Sequence, residues 1–319
     1  MKRIGVLTSG GDAPGMNAAI RSVVRSALYH KVEVMGIFRG YTGLINEEMK
    51  PLEHRSVSNI INRGGTILKT ARCPEFYNQE GQERGKAIIE KNRIDGLVLI
   101  GGDGTYRGGI ALSRHFGVRC VGVPGTIDND LNGTQATIGS DTAVNTALEA
   151  IDKIRDTATS MERIFVVELM GRESGFIAMQ AAVAGGAEDV LIPERRFDID
   201  QMCHDIVEGN IRGKISWIIV VAEGAARAED IAKKITDATS LETRVAVLGH
   251  VQRGGAPTAQ DRILATRLGA EAVELLVKGE SGKAVGVISD EINVVDFEVA
   301  VQKKDMPPDR MYKLMKILT

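Results

Sequence analysis

The sequence predicts an α/β protein with mainly parallel sheets, and three observations favour this class. Short apolar runs recur along the 319 residues, each run ends in glycine or a polar turn, and helical periodicity follows most of them. Strands that alternate with helices in this way form parallel sheets whose two faces are covered. Since ligands bind outside the carboxyl ends of such strands, we expect the functional residues in the turns that follow them.

Each predicted element is placed by this pattern. The strands are, in chain order, 4–7, 96–100, 120–123, 164–169, 218–222 and 245–248. The helices are 16–28, about 106–115, an alanine-rich helix that ends at 184, and about 259–276. No linker rich in proline, glycine or serine separates two halves of the sequence, so the small polar segment 133–142 is the best candidate for a crossing between domains.

The composition is that of an ordinary globular protein, with 43% hydrophobic and 26% charged residues. Its length suits about two domains of ~150 residues each. The formal net charge of −2 argues against nucleic-acid or membrane-surface binding. Aromatic residues make up 4% of the chain, which is too few for a base-stacking platform.

The cysteines and the amino terminus indicate the compartment. Cys73, Cys120 and Cys203 lie far apart and form no C-x-x-C pair, which fits a reducing environment. The sequence starts with a charged strand instead of an apolar stretch of signal length. No apolar run approaches the roughly 20 residues that span a bilayer. We therefore expect a cytoplasmic protein.

The segment 123–130, which follows the third predicted strand, is the most informative part of the sequence. It combines the carboxylates of Asp128 and Asp130 with the hydroxyl of Thr126. The two carboxylates are two residues apart, so in an extended loop they would point the same way. Such groups suit removal of a proton from a substrate hydroxyl near a metal cation. The alternative is an Asp-Asn-Asp turn on the surface.

Two glycine-rich turns, 10–12 and 101–105, follow the first two strands. Missing side chains let phosphates approach backbone N–H groups, and the following helix N-terminus favours anions. Asp103 is a candidate Mg²⁺ ligand, with phosphates supplying other ligands. The alternative is that any tight strand–helix turn requires glycine. The first turn departs from the dinucleotide fingerprint because Asp12 and Pro14 stand where close pyrophosphate contact is needed.

Cationic side chains at other turns complete the pattern. A guanidinium group matches phosphate oxygens in bidentate fashion, although any single arginine is more simply a surface residue. The segment 249–255 is more specific, because glycines bracket both of its cationic residues. The candidates are Arg72, Arg163, Arg172, Arg244, His250 and Arg253.

Taken together, these segments resemble the bacterial 6-phosphofructokinases, and the resemblance extends over essentially the whole chain. The matching segments are 8–17, 101–105, 124–130, 170–172 and 249–255. The turn 101–105 alone also occurs in NAD kinases and diacylglycerol kinases. The segments 124–130 and 249–255 speak against those two classes of enzyme.

The resemblance implies two Rossmann-like three-layer domains with mainly parallel sheets and the active site in the cleft between them. Residues 1–138 plus 251–303 would form an ATP-binding domain, and residues 139–250 plus 304–319 a sugar-phosphate-binding domain. The implied reaction is Mg²⁺-dependent phosphoryl transfer from ATP to the 1-hydroxyl of D-fructose 6-phosphate, a step of glycolysis. The implied products are fructose 1,6-bisphosphate and ADP.

The resemblance also implies roles for single residues. Asp128 would be the base that takes the proton from the 1-hydroxyl, and Thr126 and Asp130 would position that hydroxyl and the metal shell. Arg172 would stabilise charge on the transferring phosphoryl group, and Arg72 would assist. ATP would be held by Gly11, Arg72, Cys73, Gly102, Asp103, Gly104 and Thr105, with Asp103 on Mg²⁺. The sugar phosphate would contact Thr126, Ile127, Asp128, Arg163, Met170, Gly171, Arg172, Glu223, Arg244, His250, Val251, Gln252 and Arg253.

Assembly and regulation are implied in the same way. In the family, the positions that match Arg163 and Arg244 come from a neighbouring subunit, so a homotetramer is expected. An effector site for ADP or phosphoenolpyruvate would use Arg21, Arg25, Arg155, Gly186, Glu188, Arg212 and Lys214. Departures from the family pattern, which predict altered anion affinity there, are His54, Asn59, Ile215 and Ser216, and two further unusual residues are Ser140 and Phe176.

Two alternatives to this function remain at this stage. A pyrophosphate-dependent phosphofructokinase is disfavoured because such relatives tend to carry Asp and Lys where this chain has Gly104 and Gly125. Bulkier charged side chains at those places would occupy the path of the nucleotide phosphates. A non-catalytic nucleotide or sugar-phosphate sensor should have lost a base, a metal ligand or a phosphate-binding arginine, and this sequence retains all three.

Overall fold

The computed structural model describes residues 1–304 and 309–319, and the chain divides into two compact units. The first unit comprises Met1–Thr142 and Arg253–Lys304, and the second comprises Ala143–Gln252 and the carboxyl-terminal helix. The predicted return segment 304–319 includes residues 305–308, which lie outside the described residues.

Strands and helices alternate along the chain, as predicted. The strands are β1 (Arg3–Ser9), β2 (Glu33–Ile37), β3 (Met49–Leu52), β4 (Gly96–Gly101), β5 (Cys120–Pro124), β6 (Ile164–Leu169), β7 (Asp189–Leu191), β8 (Trp217–Ala222), β9 (Thr243–Val247), β10 (Lys283–Ile288) and β11 (Glu291–Asp296). The helices are α1 (Met16–Tyr29), α2 (Gly40–Ile45), α3 (Gln79–Lys91), α4 (Asp103–Phe116), α5 (Ser140–Met161), α6 (Phe176–Ala184), α7 (Ile199–Ile211), α8 (Ala228–Thr239), α9 (Ala259–Lys278), α10 (Phe297–Ala300) and α11 (Asp309–Leu318). Short 3-10 helices cover His54–Val57, Pro74–Tyr77 and Gly249–Arg253.

The first unit is built on one seven-stranded sheet with the order β11-β10-β5-β4-β1-β2-β3. Its five inner strands are parallel, and only the edge strands β3 and β11 run antiparallel to their neighbours. The chain proceeds from β1 to β2 on one side and later returns to β4 on the other side. The carboxyl ends of β1 and β4 are therefore a topological switch point, where α/β sheets bind ligands.

Helices cover both faces of this sheet. On one face α1 and α9 pack against each other and against the strands. On the other face α2, α3 and α4 lie over a buried cluster that includes Leu7, Leu97, Leu99 and Tyr106. The two layers of helix and the sheet between them hold the ends of β1, β4 and β5 in fixed register.

The second unit contains a four-stranded sheet with the order β7-β8-β6-β9, and all of its strand pairs are parallel. Apolar side chains of β6 and β8 pack against α7 and α8 in a buried cluster that includes Val166, Ile206, Val221 and Ile235. Here β6 has β8 and β7 on one side and β9 on the other. The turns after β6, β8 and β9 therefore lie at one edge of the sheet.

The predicted α/β class with mainly parallel sheets is confirmed, but the sequence pattern did not place β2, β3, β7, β10 and β11, and the start of one predicted helix differs. Helix α4 begins at Asp103 instead of near 106, because the N–H groups of Thr105 and Tyr106 already bond the carbonyl of Gly102. The hairpin β10–β11 was not predicted, because its tight turn uses Ser289 and Asp290 in left-handed conformations instead of the usual Asn-Gly. Within the described residues, no helix is long and apolar enough to cross a lipid bilayer.

Candidate active site

The first unit brings three of the predicted functional turns to one edge of its sheet. Ser9 of β1 is in register with Gly101 of β4, and Gly101 is in register with Pro124 of β5. The N–H of Gly125 donates to the carbonyl of Gly101 over 3.1 Å. The turns that carry Gly11, Asp103 and Asp128 therefore start side by side, as the sequence predicted from three separate strand ends.

The first turn lies beneath a guanidinium group. Nη1 of Arg253 donates to the carbonyl of Asp12 over 3.0 Å. A Cβ atom on Gly11 would come within 2.5 Å of the same Nη1, so a side chain at this position would push the guanidinium group away from where it lies. The hydroxyl of Thr70 donates to the carbonyl of Gly10 over 2.5 Å. The turn is thus held from two sides, and the positive charge of Arg253 lies against it.

The second turn is the amino-terminal turn of α4. Asp103 is the first helical residue, its side chain is 39% exposed, and Nε of Arg107 lies 3.7 Å from its Oδ2. The hydroxyl of Thr105 donates to the carbonyl of Ser9 over 3.1 Å and so ties α4 to the end of β1. The positive dipole end of this helix favours a phosphate.

The donor set at this helix end fits a Mg²⁺ ion that arrives with a nucleotide. Asp103 offers one accessible carboxylate, and magnesium usually takes one or two carboxylates together with substrate phosphates and water. No group of three or more His, Cys, Asp or Glu side chains suited to a metal lies among residues 1–304 and 309–319. The residues therefore match a phosphate-bridged ion and not a site built entirely from protein ligands.

The third turn carries the paired carboxylates. Asp128 is 2% exposed, and Asp130 is half-buried. The N–H of Asp128 donates to the hydroxyl of Thr126 over 3.2 Å, and the hydroxyl of Thr137 donates to the carbonyl of Thr126 over 2.6 Å. These bonds fix the main chain on both sides of the Thr126 side chain.

The expectation of an extended loop between the two carboxylates is wrong. Asn129 has φ 48°, in the left-handed region, so the chain turns between Asp128 and Asp130. Its side-chain N–H donates to the carbonyl of Gln135 over 2.9 Å. The alternative of an Asp-Asn-Asp turn therefore describes the main chain here, although Asp128 and Asn129 are buried instead of lying on the surface. Asparagine tolerates this conformation better than most residues.

Arg72 and Cys73 lie in another segment of the same unit, outside the three turns. Arg72 is exposed, and its carbonyl accepts a hydrogen bond of 3.4 Å from the hydroxyl of Thr42. Cys73 is partly buried against the core cluster of the first unit, and it precedes the 3-10 helix that starts at Pro74.

In the second unit, the turn after β6 is organised by two polar side chains. Oε1 of Glu223 accepts N–H bonds from Gly171 at 3.1 Å and from Arg172 at 2.8 Å. Oε1 of the fully buried Gln252 accepts the N–H of Met170 at 2.9 Å. Glu223 and Gln252 were predicted as substrate contacts, and here they shape the turn that carries Arg172, which itself has φ 54°.

Two predicted phosphate-binding arginines of this unit lie together on its surface. Nε of Arg163 is 2.8 Å from Oε2 of Glu242, and Arg244 pairs with the other oxygen of the same carboxylate. Glu242 therefore holds the two guanidinium groups side by side. His250 and Val251 are exposed in the 3-10 helix that follows β9.

The family follows from comparison with known proteins. The profile of the family described as phosphofructokinase matches residues 3–276 of this chain. The chain belongs to the phosphofructokinase family. The resemblance drawn from the sequence motifs is thereby confirmed.

Relatives of this phosphofructokinase chain cover its whole length. Proteins named ATP-dependent 6-phosphofructokinase from Bacillus licheniformis and Bacillus subtilis are each 56% identical to it over 319 residues, which is 100% of both partners in each comparison. The solved structure of phosphofructokinase from Saccharomyces cerevisiae matches with a TM-score of 0.85 and 34% identity, covering 99% of this chain and 46% of the yeast chain. A pyrophosphate-dependent phosphofructokinase from Nitrosospira multiformis, at 22% identity, TM-score 0.86 and coverage of 96% and 86%, shares the fold.

The predicted effector residues of the phosphofructokinase chain are partly clustered. Oε1 of the buried Glu188 lies 3.7 Å from Nη1 of Arg155 and 3.3 Å from Nζ of Lys214. Arg155 also donates to the carbonyl of Gly186 over 2.6 Å. Arg212 instead pairs with Glu208 on its own helix. Arg21 and Arg25 lie on α1 of the first unit, where burial and the nearby Arg25 lower the pKa of Arg21.

Two residues at the candidate site were missed by the sequence reasoning, Asn129 and Lys304. Asn129 stood inside the recognised segment 123–130 but was treated only as part of a turn. Lys304 lies far along the chain, and its Nζ reaches the loop of the paired carboxylates. No motif surrounds it, so only the fold could associate it with the site.

Proposed function

We propose that the chain transfers the terminal phosphoryl group of ATP to the 1-hydroxyl of fructose 6-phosphate and releases fructose 1,6-bisphosphate and ADP. The observation that carries the proposal is the convergence of three turns at the ends of β1, β4 and β5. One turn lies against the guanidinium group of Arg253, one opens a helix with an accessible carboxylate, and one holds the buried Asp128. The names of the Bacillus relatives support ATP as the donor.

Catalysis of phosphoryl transfer depends on positioning of the reactants and on stabilisation of negative charge more than on covalent catalysis. We assign proton removal from the 1-hydroxyl to Asp128, with the Thr126 hydroxyl and Asp130 orienting the acceptor. The glycine-rich turn 102–105 at the amino-terminal end of α4 would hold the nucleotide phosphates, and Asp103 would hold Mg²⁺. When bound, Mg²⁺ neutralises charge on the phosphate oxygens. Arg172, with Arg72, would neutralise the charge that develops on the transferring group.

The remaining roles complete the proposal. Residues 1–138 with 251–303 would bind ATP, and residues 139–250 with 304–319 would bind the sugar phosphate through Arg163, Arg244, His250 and Arg253. A homotetramer would supply the first two arginines from a neighbouring subunit. The pair Arg155 and Lys214 beside Glu188 would belong to an effector site for ADP or phosphoenolpyruvate. The enzyme would act in the cytoplasm.

A donor comparison tests this function. The purified protein is given fructose 6-phosphate and Mg²⁺ with either ATP or pyrophosphate, and formation of fructose 1,6-bisphosphate is followed with and without phosphoenolpyruvate. Turnover with ATP that falls away with pyrophosphate supports the proposal. Equal rates with both donors would support the pyrophosphate-dependent alternative. No turnover with either donor would support the non-catalytic sensor.

A further inference from the structure

Lys304 is a half-buried cation that contacts the loop of the paired carboxylates. Its Nζ donates to the main-chain carbonyl of Asn129 over 3.1 Å and to the side-chain Oδ1 of the same residue over 3.0 Å. Burial lowers the pKa of Lys304 to about 8, and the charge of Asp130 opposes this shift. Even partial burial of a lysine ammonium group costs free energy unless the group is paired or hydrogen-bonded, so the contacts of Lys304 are informative.

The residue that Lys304 holds is the one that sets the direction of the loop. Asn129 is 1% exposed and has φ 48°, a conformation that costs free energy for any residue other than glycine. Nζ of Lys304 donates to the carbonyl and to Oδ1 of Asn129, and Nδ2 of Asn129 donates to the carbonyl of Gln135. Every polar group of the Asn129 side chain is therefore engaged in keeping this turn.

The charge of Lys304 faces a carboxylate as well. Asp130 is the carboxylate whose charge acts on the Lys304 ammonium group, so an electrostatic attraction adds to the two hydrogen bonds that Lys304 makes to Asn129.

We propose that Lys304 is a positioning residue for phosphoryl transfer, which holds Asn129 in the turn that presents Asp128 to the acceptor hydroxyl. This inference rests on the proposed function of Asp128 as the base. Lys304 itself touches neither substrate nor the reacting atoms in this arrangement. Its effect should therefore appear in turnover and not in the binding of either substrate.

The test replaces Lys304 by methionine, which keeps an unbranched apolar chain as far as the ε position and removes the charge and the donors. A displacement of the base of the order of 1 Å lowers kcat by about tenfold to a hundredfold, and we expect a loss in this range. The KM values for ATP and fructose 6-phosphate should stay within about twofold of those of the unmodified protein, because the substitution removes no contact to either substrate. Lys303→Met is the matched control, because Lys303 is the adjacent exposed lysine. It should behave like the unmodified protein.

A double variant separates this inference from the function on which it rests. If Lys304 acts through Asp128, adding Lys304→Met to Asp128→Ser should lower kcat by less than about twofold, because two residues that work as one unit are not additive. An equal loss in both backgrounds, or a rise of KM with unchanged kcat, would overturn the proposal. Should Lys304→Met not fold, Lys304→Ala, which also lacks the charge and the donors, is measured against the same criteria.

The two failures are distinguishable. Near-normal kcat in Asp128→Ser would overturn the assignment of the base and this inference with it. A normal kcat in Lys304→Met together with a severe loss in Asp128→Ser would overturn only the role of Lys304.

Discussion

Two single residues, Gly104 and Gly125, favoured ATP over pyrophosphate in the sequence analysis, and their surroundings differ. A Cβ atom on Gly104 would meet no atom within 4 Å, so the space in front of the first turn of α4 is open. A Cβ atom on Gly125 would come within 3.0 Å of Ile100 and 3.1 Å of Met16. Gly104 therefore leaves room for a ligand, whereas a side chain at Gly125 would crowd Ile100 and Met16.

This difference leads to a prediction for Gly104→Asp. A carboxylate in the first turn of a helix stabilises it by about 0.3–1 kcal/mol, so the thermal midpoint should be unchanged or slightly raised. The same negative charge should repel the nucleotide phosphates and raise the KM for ATP. Gly125→Ala is the informative partner, because it should lower the thermal midpoint through the crowded contacts. Enzyme kinetics and thermal unfolding of both variants give the check, and an unchanged KM for ATP in Gly104→Asp would contradict it.

At the scale of an element, the amino-terminal end of α9 anchors the segment that follows the carboxylate loop. Oδ1 of the buried Asp261 accepts the N–H of Gly139 at 2.8 Å, and its Oδ2 accepts both the N–H and the hydroxyl of Thr142 at 2.8 and 2.5 Å. Burial raises the pKa of Asp261, and the bonds from Thr142 and Gly139 oppose that rise. One carboxylate therefore ties α9 to the start of α5.

Asp261→Asn should destabilise the protein although it removes a buried charge. The amide offers one acceptor oxygen, so the N–H of Thr142 would face another donor, and an unsatisfied buried N–H costs about 1–3 kcal/mol. Chemical unfolding at pH 7 gives the measurement. An asparagine variant as stable as the unmodified protein would show that these bonds contribute little.

The same carboxyl predicts the sign of a pH dependence. Because its pKa is raised above the usual 3.8, the folded state keeps its proton to higher pH than the unfolded state does. Its contribution to stability is therefore largest below the unfolded pKa and decreases as pH rises through the folded pKa. The stability difference between the unmodified protein and Asp261→Asn should shrink as pH rises from 3.8 through that folded value. A difference that grows over this range would contradict the raised pKa.

The strands differ in how well the sequence predicted them. The strand ends at Ser9, Gly101 and Pro124 were predictable, because apolar runs that stop at glycine mark parallel strands. The edge strands β3, β7 and β11 were not, because they are short or lie in hairpins without a glycine signal. The position of Lys304 beside Asn129 is a tertiary contact between distant parts of the chain, and local patterns carry no information on it.

At the scale of the whole molecule, the proposed site needs residues that the first unit does not contain. Arg163 and Arg244 lie on the surface of the second unit, where Glu242 holds them together. The family resemblance implies that such a pair serves a neighbouring subunit. Assembly would then be a condition of activity, and a monomer would bind the sugar phosphate weakly.

Mixing inactive variants tests this shared site. Asp128→Ser should lose turnover through its base, and the double variant Arg163→Ala with Arg244→Ala should lose it through weak sugar-phosphate binding. When the two proteins are dissociated and reassembled together, some sites receive an intact base and intact arginines, so activity should return. Reassembly of each variant alone is the control. If mixed assemblies stay inactive, each subunit builds its site from its own residues.

The account depends most on the role of Asp128, and one paired measurement tests it directly. A general base adds about 10²–10⁴-fold to the rate, so Asp128→Ser should lose most of kcat with ATP and fructose 6-phosphate. Calorimetric titration should show that the same variant binds fructose 6-phosphate as tightly as the unmodified protein does. Near-normal turnover in Asp128→Ser would contradict the account.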